Sequence, residues 1–181
     1  MHDRDRVTAI APSAGLPEKR TYCSLREFFS DIWYLFKNSP FIVRMAWNRT
    51  LSRSFQERLM LAVTSVYHCR YCTWVHTGAA LASGVSREEI SRIMEGALPE
   101  CPEEETTAIL YAQHWADTNA NPLAQATAKL EQAYGPNKAR AIQVVLRMIR
   151  VGNLTGNTWD YHLHRLSGAF NTARKKRGQK T

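Results

Sequence analysis

A chain of 181 residues with 44% hydrophobic and 10% aromatic residues is long enough to bury one sizeable core and short for two. No uncharged apolar run approaches the roughly 18 residues that a membrane-spanning helix needs, which excludes an integral helical membrane protein. The net charge of +8 raises a nucleic-acid reading, but Arg174, Lys175, Lys176, Arg177 and Lys180 put five positive charges at the extreme C-terminus, so the excess is read as a solvated tail and nucleic acid is not an expected partner.

Residues 1–20 carry Pro12, Gly15, Pro17 and scattered charge, and are read as an N-terminal arm. Their mixed acids and bases make a poor signal peptide, so a cytoplasmic location is expected. From there to about residue 170 the chain reads as a single all-α domain of six to eight helices, followed by the basic tail 171–181. Ser24 and Glu27 make a capping-box pattern that opens a helix, in which Phe28, Ile32 and Leu35 recur at helical spacing. The aromatic run "FFSDIWYLF" there is read as core-facing, with an oligomer surface as the alternative. Ser39 and Pro40 launch a second helix. "SFQERLMLAVTSVYH" is a third with one apolar face, and it runs into "CRYCTWVHTGAALASG", which Gly84 stops. Ser86 and Glu89 start the next helix, and Pro102 with three glutamates the one after. "NANP" breaks the chain before two more helices separated at Gly135 and Pro136. In the last, Gly152 and Gly156 continue an apolar stripe and predict a close helix contact.

The chemistry gathers at residues 68–76, "HCRYCTWVH". Cys69, Cys72 and His76 share one helical face. If the preceding helix ends near Tyr67 or His68, both cysteines fall in the first turn of the next, where unpaired N–H groups and the helix dipole favour a thiolate. A histidine one turn on can exchange a proton with Cys72, and a neighbouring thiol can close a disulfide on an oxidised sulfur. Glu57, in an otherwise apolar helix upstream, is the candidate carboxylate to complete a relay. Zinc would need His68 or Cys101 as a fourth ligand and is demoted; covalent haem is excluded because Thr73, not histidine, follows the second cysteine. No cofactor or metal is expected. Cys23, Cys101 and His114 are read as structural, His162 and His164 as surface histidines, and Asn157 and Trp159 as weak pocket candidates.

The spacing Glu57, Cys69, Cys72, His76 at the end of one helix and the start of the next resembles the alkylhydroperoxidase AhpD and carboxymuconolactone decarboxylase superfamily, over about residues 54–97. The resemblance implies a compact helical fold assembling into trimers or hexamers. It implies a thiol-dependent alkyl hydroperoxide reductase, with Cys72 peroxidatic, Cys69 closing the disulfide, and Glu57 and His76 relaying protons through water. The implied partners are a hydroperoxide and a dithiol donor, a dihydrolipoyl or thioredoxin-like protein. Arg70 and Tyr71 stand where peroxidase members can carry a histidine before the second cysteine. A decarboxylase on the same fold and a non-catalytic zinc or redox-sensing module are the competing readings.

Overall fold

The computed structural model describes residues 19–97 and 101–178, without the side chains of residue 164 and residues 166–178. Most of the N-terminal arm, the end of the basic tail and the side chain of His164 lie outside the described residues. Those described form seven helices and no strand: α1 (Leu25–Lys37), α2 (Ser39–Trp47), α3 (Arg53–Tyr67), α4 (Arg70–Ala82), α5 (Arg87–Met94), α6 (Glu103–Asp117) and α7 (Ala124–Gly178). The chain is all-α, as its periodicity requires. α7 is two limbs, 124–134 and 136–178, broken where Gly135 takes φ 70°, ψ 163°. Glycine tolerates that positive φ, and Pro136 then fits the first turn of the second limb.

Local chemistry starts each helix. Ser24, Ser52 and Ser86 accept the backbone N–H of Glu27, Phe55 and Glu89 at 3.2, 3.1 and 3.1 Å. Glu27 reaches back to the Cys23 N–H at 3.0 Å, which is the reciprocal half of a capping box. Glu89 does not reach back; its carboxylate binds Arg58 at 2.6 Å.

α3 is the central helix, with ten of its 15 residues buried. α4, α5, α6 and the second limb of α7 surround it. Leu59, Leu61, Ile109, Ile142 and Leu146 fill the seam with no exposed surface. Burial of each such side chain is worth about 1.5–3 kcal/mol. Arg58, 7% exposed, ties α5 and α6 to α3 through Glu89 and through Glu105 at 3.1 Å.

α1 corrects the sequence reading. Its aromatic stripe does not face the core: Phe29, Ile32, Trp33 and Phe36 are 39–67% exposed, and the one buried residue of the helix is Asp31. Asp31 accepts from Arg150, from Arg147 at 2.6 Å and from the Tyr22 hydroxyl at 3.2 Å. Arg150, 2% exposed, also reaches Glu27 at 2.5 Å and Asn119 at 2.8 Å. Removing one partner of a buried pair leaves an uncompensated charge. Asp31→Ala is therefore expected to lower the unfolding free energy by about 3–5 kcal/mol, read from urea denaturation followed by circular dichroism; a change below about 1 kcal/mol would mean the network carries no net weight.

Candidate active site at the α3–α4 corner

α3 ends at Tyr67, and His68 turns the chain through the left-handed region, φ 56°, ψ 38°. Cys69 is consequently the N-cap of α4: its Sγ accepts the Cys72 N–H at 3.5 Å, and its carbonyl accepts both the Thr73 N–H at 2.9 Å and the Thr73 hydroxyl at 3.0 Å. A sulfur stands where a serine or aspartate oxygen is usual. Negative charge on it meets the unpaired N–H groups of the first turn. The Cys69 thiol is pulled down to about 6, first by the hydrogen bond from the Cys72 thiol, then by the Cys72 and Tyr71 N–H groups, with burial opposing. The same thiol–thiol bond, with burial, pushes Cys72 up. The two thiols titrate as a pair, with Cys69 held down and Cys72 pushed up.

Access divides the pair the other way. Cys69 has no exposed surface, whereas Cys72 is partly exposed. α7 presses on both sulfurs with glycine. A Cβ at Gly152 would stand 3.8 Å from Cys72 Sγ, an ordinary contact, but one at Gly156 would stand 2.9 Å from Cys69 Sγ, closer than a side-chain carbon can sit.

His76, one turn beyond Cys72, places Nδ1 2.8 Å from Glu57 Oε2, and Arg53 holds Oε1 of the same carboxylate at 3.0 Å. Glu57 is 2% exposed, so two cationic or N–H donors compensate a carboxylate taken out of water. Because a carboxylate oxygen accepts, Nδ1 carries the proton and Nε2 is left as the acceptor. The four candidate residues thus form two hydrogen-bonded pairs, Cys69 with Cys72 and Glu57 with His76, joined through one turn of α4.

Arg70 does not turn to the sulfurs. Its Nη2 donates to Asp160 Oδ1 at 2.6 Å and to the Tyr71 hydroxyl at 2.7 Å, and Lys19 takes the other Asp160 oxygen at 2.6 Å. Asp160, 3% exposed, is a residue that the sequence reading passed over; its signal was the four-residue spacing from Gly156, which puts both on one face of α7. Asn157 is no pocket residue: its side chain donates to the Tyr67 carbonyl at 2.7 Å and the Arg20 carbonyl at 2.9 Å. Trp159 and His162 line an apolar groove of about 400 Å³ with Tyr22 and Phe28. A cleft of about 860 Å³ lies along Arg20, Ser65, His68 and Asn119, and neither Cys69 nor Cys72 lines it. His114 accepts the Leu123 N–H at 3.2 Å. Among the described residues no group of three or more His, Cys, Asp or Glu side chains is placed to hold a metal ion.

The model of the carboxymuconolactone decarboxylase family matches residues 41–117, from α2 to the end of α6. Over this segment the chain is similar to that family. No curated protein and no solved structure matches the chain. The matched segment contains Glu57, Cys69, Cys72 and His76, whereas Gly152 and Gly156, which back the sulfurs, and Asp160, which holds Arg70, come from outside it.

Two outcomes test this geometry. Gly156→Ala is expected to destabilise by about 1–3 kcal/mol through overpacking against Cys69, while Gly152→Ala, in a helix interior with an ordinary contact, is neutral or stabilising by up to about 1 kcal/mol; equal effects in thermal unfolding would refute the close approach. Ultraviolet thiolate absorbance is expected to rise with a midpoint of about 6 and to lose that step in Cys69→Ser. Since the folded pKa lies below the ordinary thiol value of about 8.5, the stabilisation from Cys69 is complete above about 8.5 and is lost as pH falls through about 6.

Proposed function

We propose that the chain is a thiol-dependent peroxidase or disulfide oxidoreductase that reduces alkyl hydroperoxides and cycles between a Cys69/Cys72 dithiol and its disulfide. The observation that carries this reading is the sulfur at an N-cap: Cys69 Sγ accepts a first-turn N–H, while its neighbour Cys72 is the one that solvent reaches. No helix among the described residues is long and apolar enough to cross a membrane.

In the proposed cycle a hydroperoxide enters on the Cys72 side. The Cys72 proton passes to Cys69, or through water to His76 Nε2, and the Cys72 thiolate attacks the terminal peroxide oxygen. The O–O bond breaks, Cys72 becomes a sulfenic acid, and the alkoxide takes a proton from the relay to leave as the alcohol. Glu57 holds the imidazole in the tautomer that can do this, and balances its charge once it is protonated. Cys69 then attacks the Cys72 sulfur, hydroxide leaves with a proton as water, and the disulfide forms. A dithiol donor, of the dihydrolipoyl or thioredoxin-like class implied by family likeness, restores the pair. One peroxide is reduced by two electrons for each dithiol oxidised.

The opposite pulls on the two cysteines give each a task. Burial keeps Cys69 from meeting a peroxide while leaving it beside the Cys72 sulfur it must attack; partial exposure makes Cys72 the entry sulfur. A decarboxylase reading on the same fold would leave the thiol pair without a task.

The test is a thiol titration before and after a small excess of an alkyl hydroperoxide. Loss of two thiols per chain, restored by dithiol, is expected in the natural sequence. Cys72→Ser is expected to abolish peroxide consumption, and Cys69→Ser to accumulate a trappable sulfenic acid at residue 72. Glu57→Gln is expected to slow the reaction by about 10²–10⁴-fold, the usual worth of positioned proton transfer. Full turnover in Cys72→Ser would overturn the assignment.

A further inference from the structure

The second limb of α7 turns one face to solvent beside the sulfurs. Gly152, Thr155 and Trp159, spaced i, i+3 and i+7, share that face, and all three are exposed, Trp159 by 63%. Gly152 is where the face meets the thiol pair. A Cβ there would stand 3.8 Å from Cys72 Sγ, so the missing side chain leaves the partly exposed sulfur open along α7. From that point Thr155 lies about 4.5 Å and Trp159 about 10 Å along the helix axis.

The face then runs into the apolar groove of about 400 Å³, because Thr155 and Trp159 belong to both. With His162 they line one side of the groove, and Tyr22, Leu25 and Phe28 line the other. Its volume is that of a small-molecule site. The wall is fixed before any ligand arrives: Tyr22 and Phe28 meet edge to face at 5.3 Å, and the Tyr22 hydroxyl donates to the buried Asp31 at 3.2 Å. Two lining hydroxyls are taken by the backbone, Thr158 accepting the Tyr22 N–H at 3.1 Å and Ser24 the Glu27 N–H at 3.2 Å. Among the described residues no Asp, Glu, Lys or Arg side chain lines the groove. Such a lining favours hydrocarbon over an ionised group.

We propose that this groove holds the alkyl tail of the hydroperoxide, laid along the exposed face of α7 with its peroxide at Cys72, and that the substrates carry a linear chain of medium length. The assignment rests on the peroxidase reading and adds a tail site to it. The chemistry is the two-electron reduction already described: the terminal peroxide oxygen passes to the Cys72 sulfur, the O–O bond breaks, and the protonated alcohol leaves from the groove. The product alcohol is therefore a ligand of the same site. Every groove residue named lies outside residues 41–117, so the tail preference belongs to this chain and not to the matched segment.

Calorimetric titration of the full chain with 1-decanol and with 1-butanol reads binding apart from thiol chemistry. Each buried methylene is worth about fourfold, so decanol is expected to bind at least about a hundredfold tighter than butanol. Thr155→Phe fills the groove and Trp159→Asp charges its wall; either is expected to cut that preference at least about tenfold, and the two together guard against a variant that fails to fold. In thiol oxidation, decyl hydroperoxide is expected to react at least about tenfold faster than butyl hydroperoxide, a ratio that falls towards one in both variants. Trp33→Ala on α1, an exposed aromatic that does not line this groove, is expected to change neither readout. Decanol binding that survives both groove variants, or that is lost in Trp33→Ala instead, would overturn the tail site. Thiols oxidised equally fast by both hydroperoxides would overturn it too, while leaving the peroxidase reading in place. Thiols inert to both hydroperoxides in a chain that still binds decanol would remove the peroxidase reading and the substrate assignment with it.

Discussion

The candidate site rests on one bent backbone position, the left-handed His68. Glu57 lies ten residues before Tyr67, so about 15 Å back along α3, and His76 lies seven residues past Cys69, so about 10 Å forward along α4. Their side chains meet at 2.8 Å because the corner folds α4 back along α3. The same corner ends one helix and begins the next within two residues, which leaves Cys69 as a cap rather than a mid-helix residue. A continuous helix through 53–82 would keep the stripe of Cys69, Cys72 and His76 but carry Glu57 well away from it, and would satisfy with carbonyls the N–H groups that now meet sulfur.

The second limb of α7 does for the corner what a second shell does for a metal. Successive faces of 150–160 each take one task. Gly152 and Gly156 let the helix reach the sulfurs; Asn153 donates to the Thr64 hydroxyl at 3.1 Å; Asn157 holds the Tyr67 carbonyl; Asp160 holds Arg70 and Lys19. Without a Cβ at Gly156 the close approach costs nothing sterically, and the sulfur is shut off from water while its charge is met by N–H groups. Burial alone would raise a thiol. The Cys72 thiol, with the first-turn N–H groups behind it, is what turns the balance.

Much of this was legible in the residues. Helical periodicity, capping serines and the Gly135–Pro136 break marked the elements, and the Glu57, Cys69, Cys72, His76 spacing marked the candidate site, because those four are brought near one another by local turns and one helix hairpin. What escaped was long-range. Arg70 stands between the two cysteines in the sequence, but its partner Asp160 is 90 residues away. The glycines of α7 announced a close contact without naming its other side. Arg58, which ties three helices through Glu89 and Glu105, resembled any charged residue of an amphipathic helix, and so did Asp31. Pattern reads which residues share a face; it does not read which face a buried charge will claim.

α1 shows why that distinction matters. Hydrophobic burial by itself would rotate this helix about half a turn and put Phe29, Trp33 and Phe36 inside. Arg150, buried on α7, forbids it, because without Asp31 and Glu27 it would be a charge stranded away from water, at a cost of several kcal/mol, and the half-buried Arg147 adds to the same pull on Asp31. Exposed aromatic side chains cost far less than that, and the attraction between charges is directional where burial of oil is not. Electrostatics therefore sets the rotation of the helix, and the apolar stripe becomes a surface whose position and orientation follow from the interior.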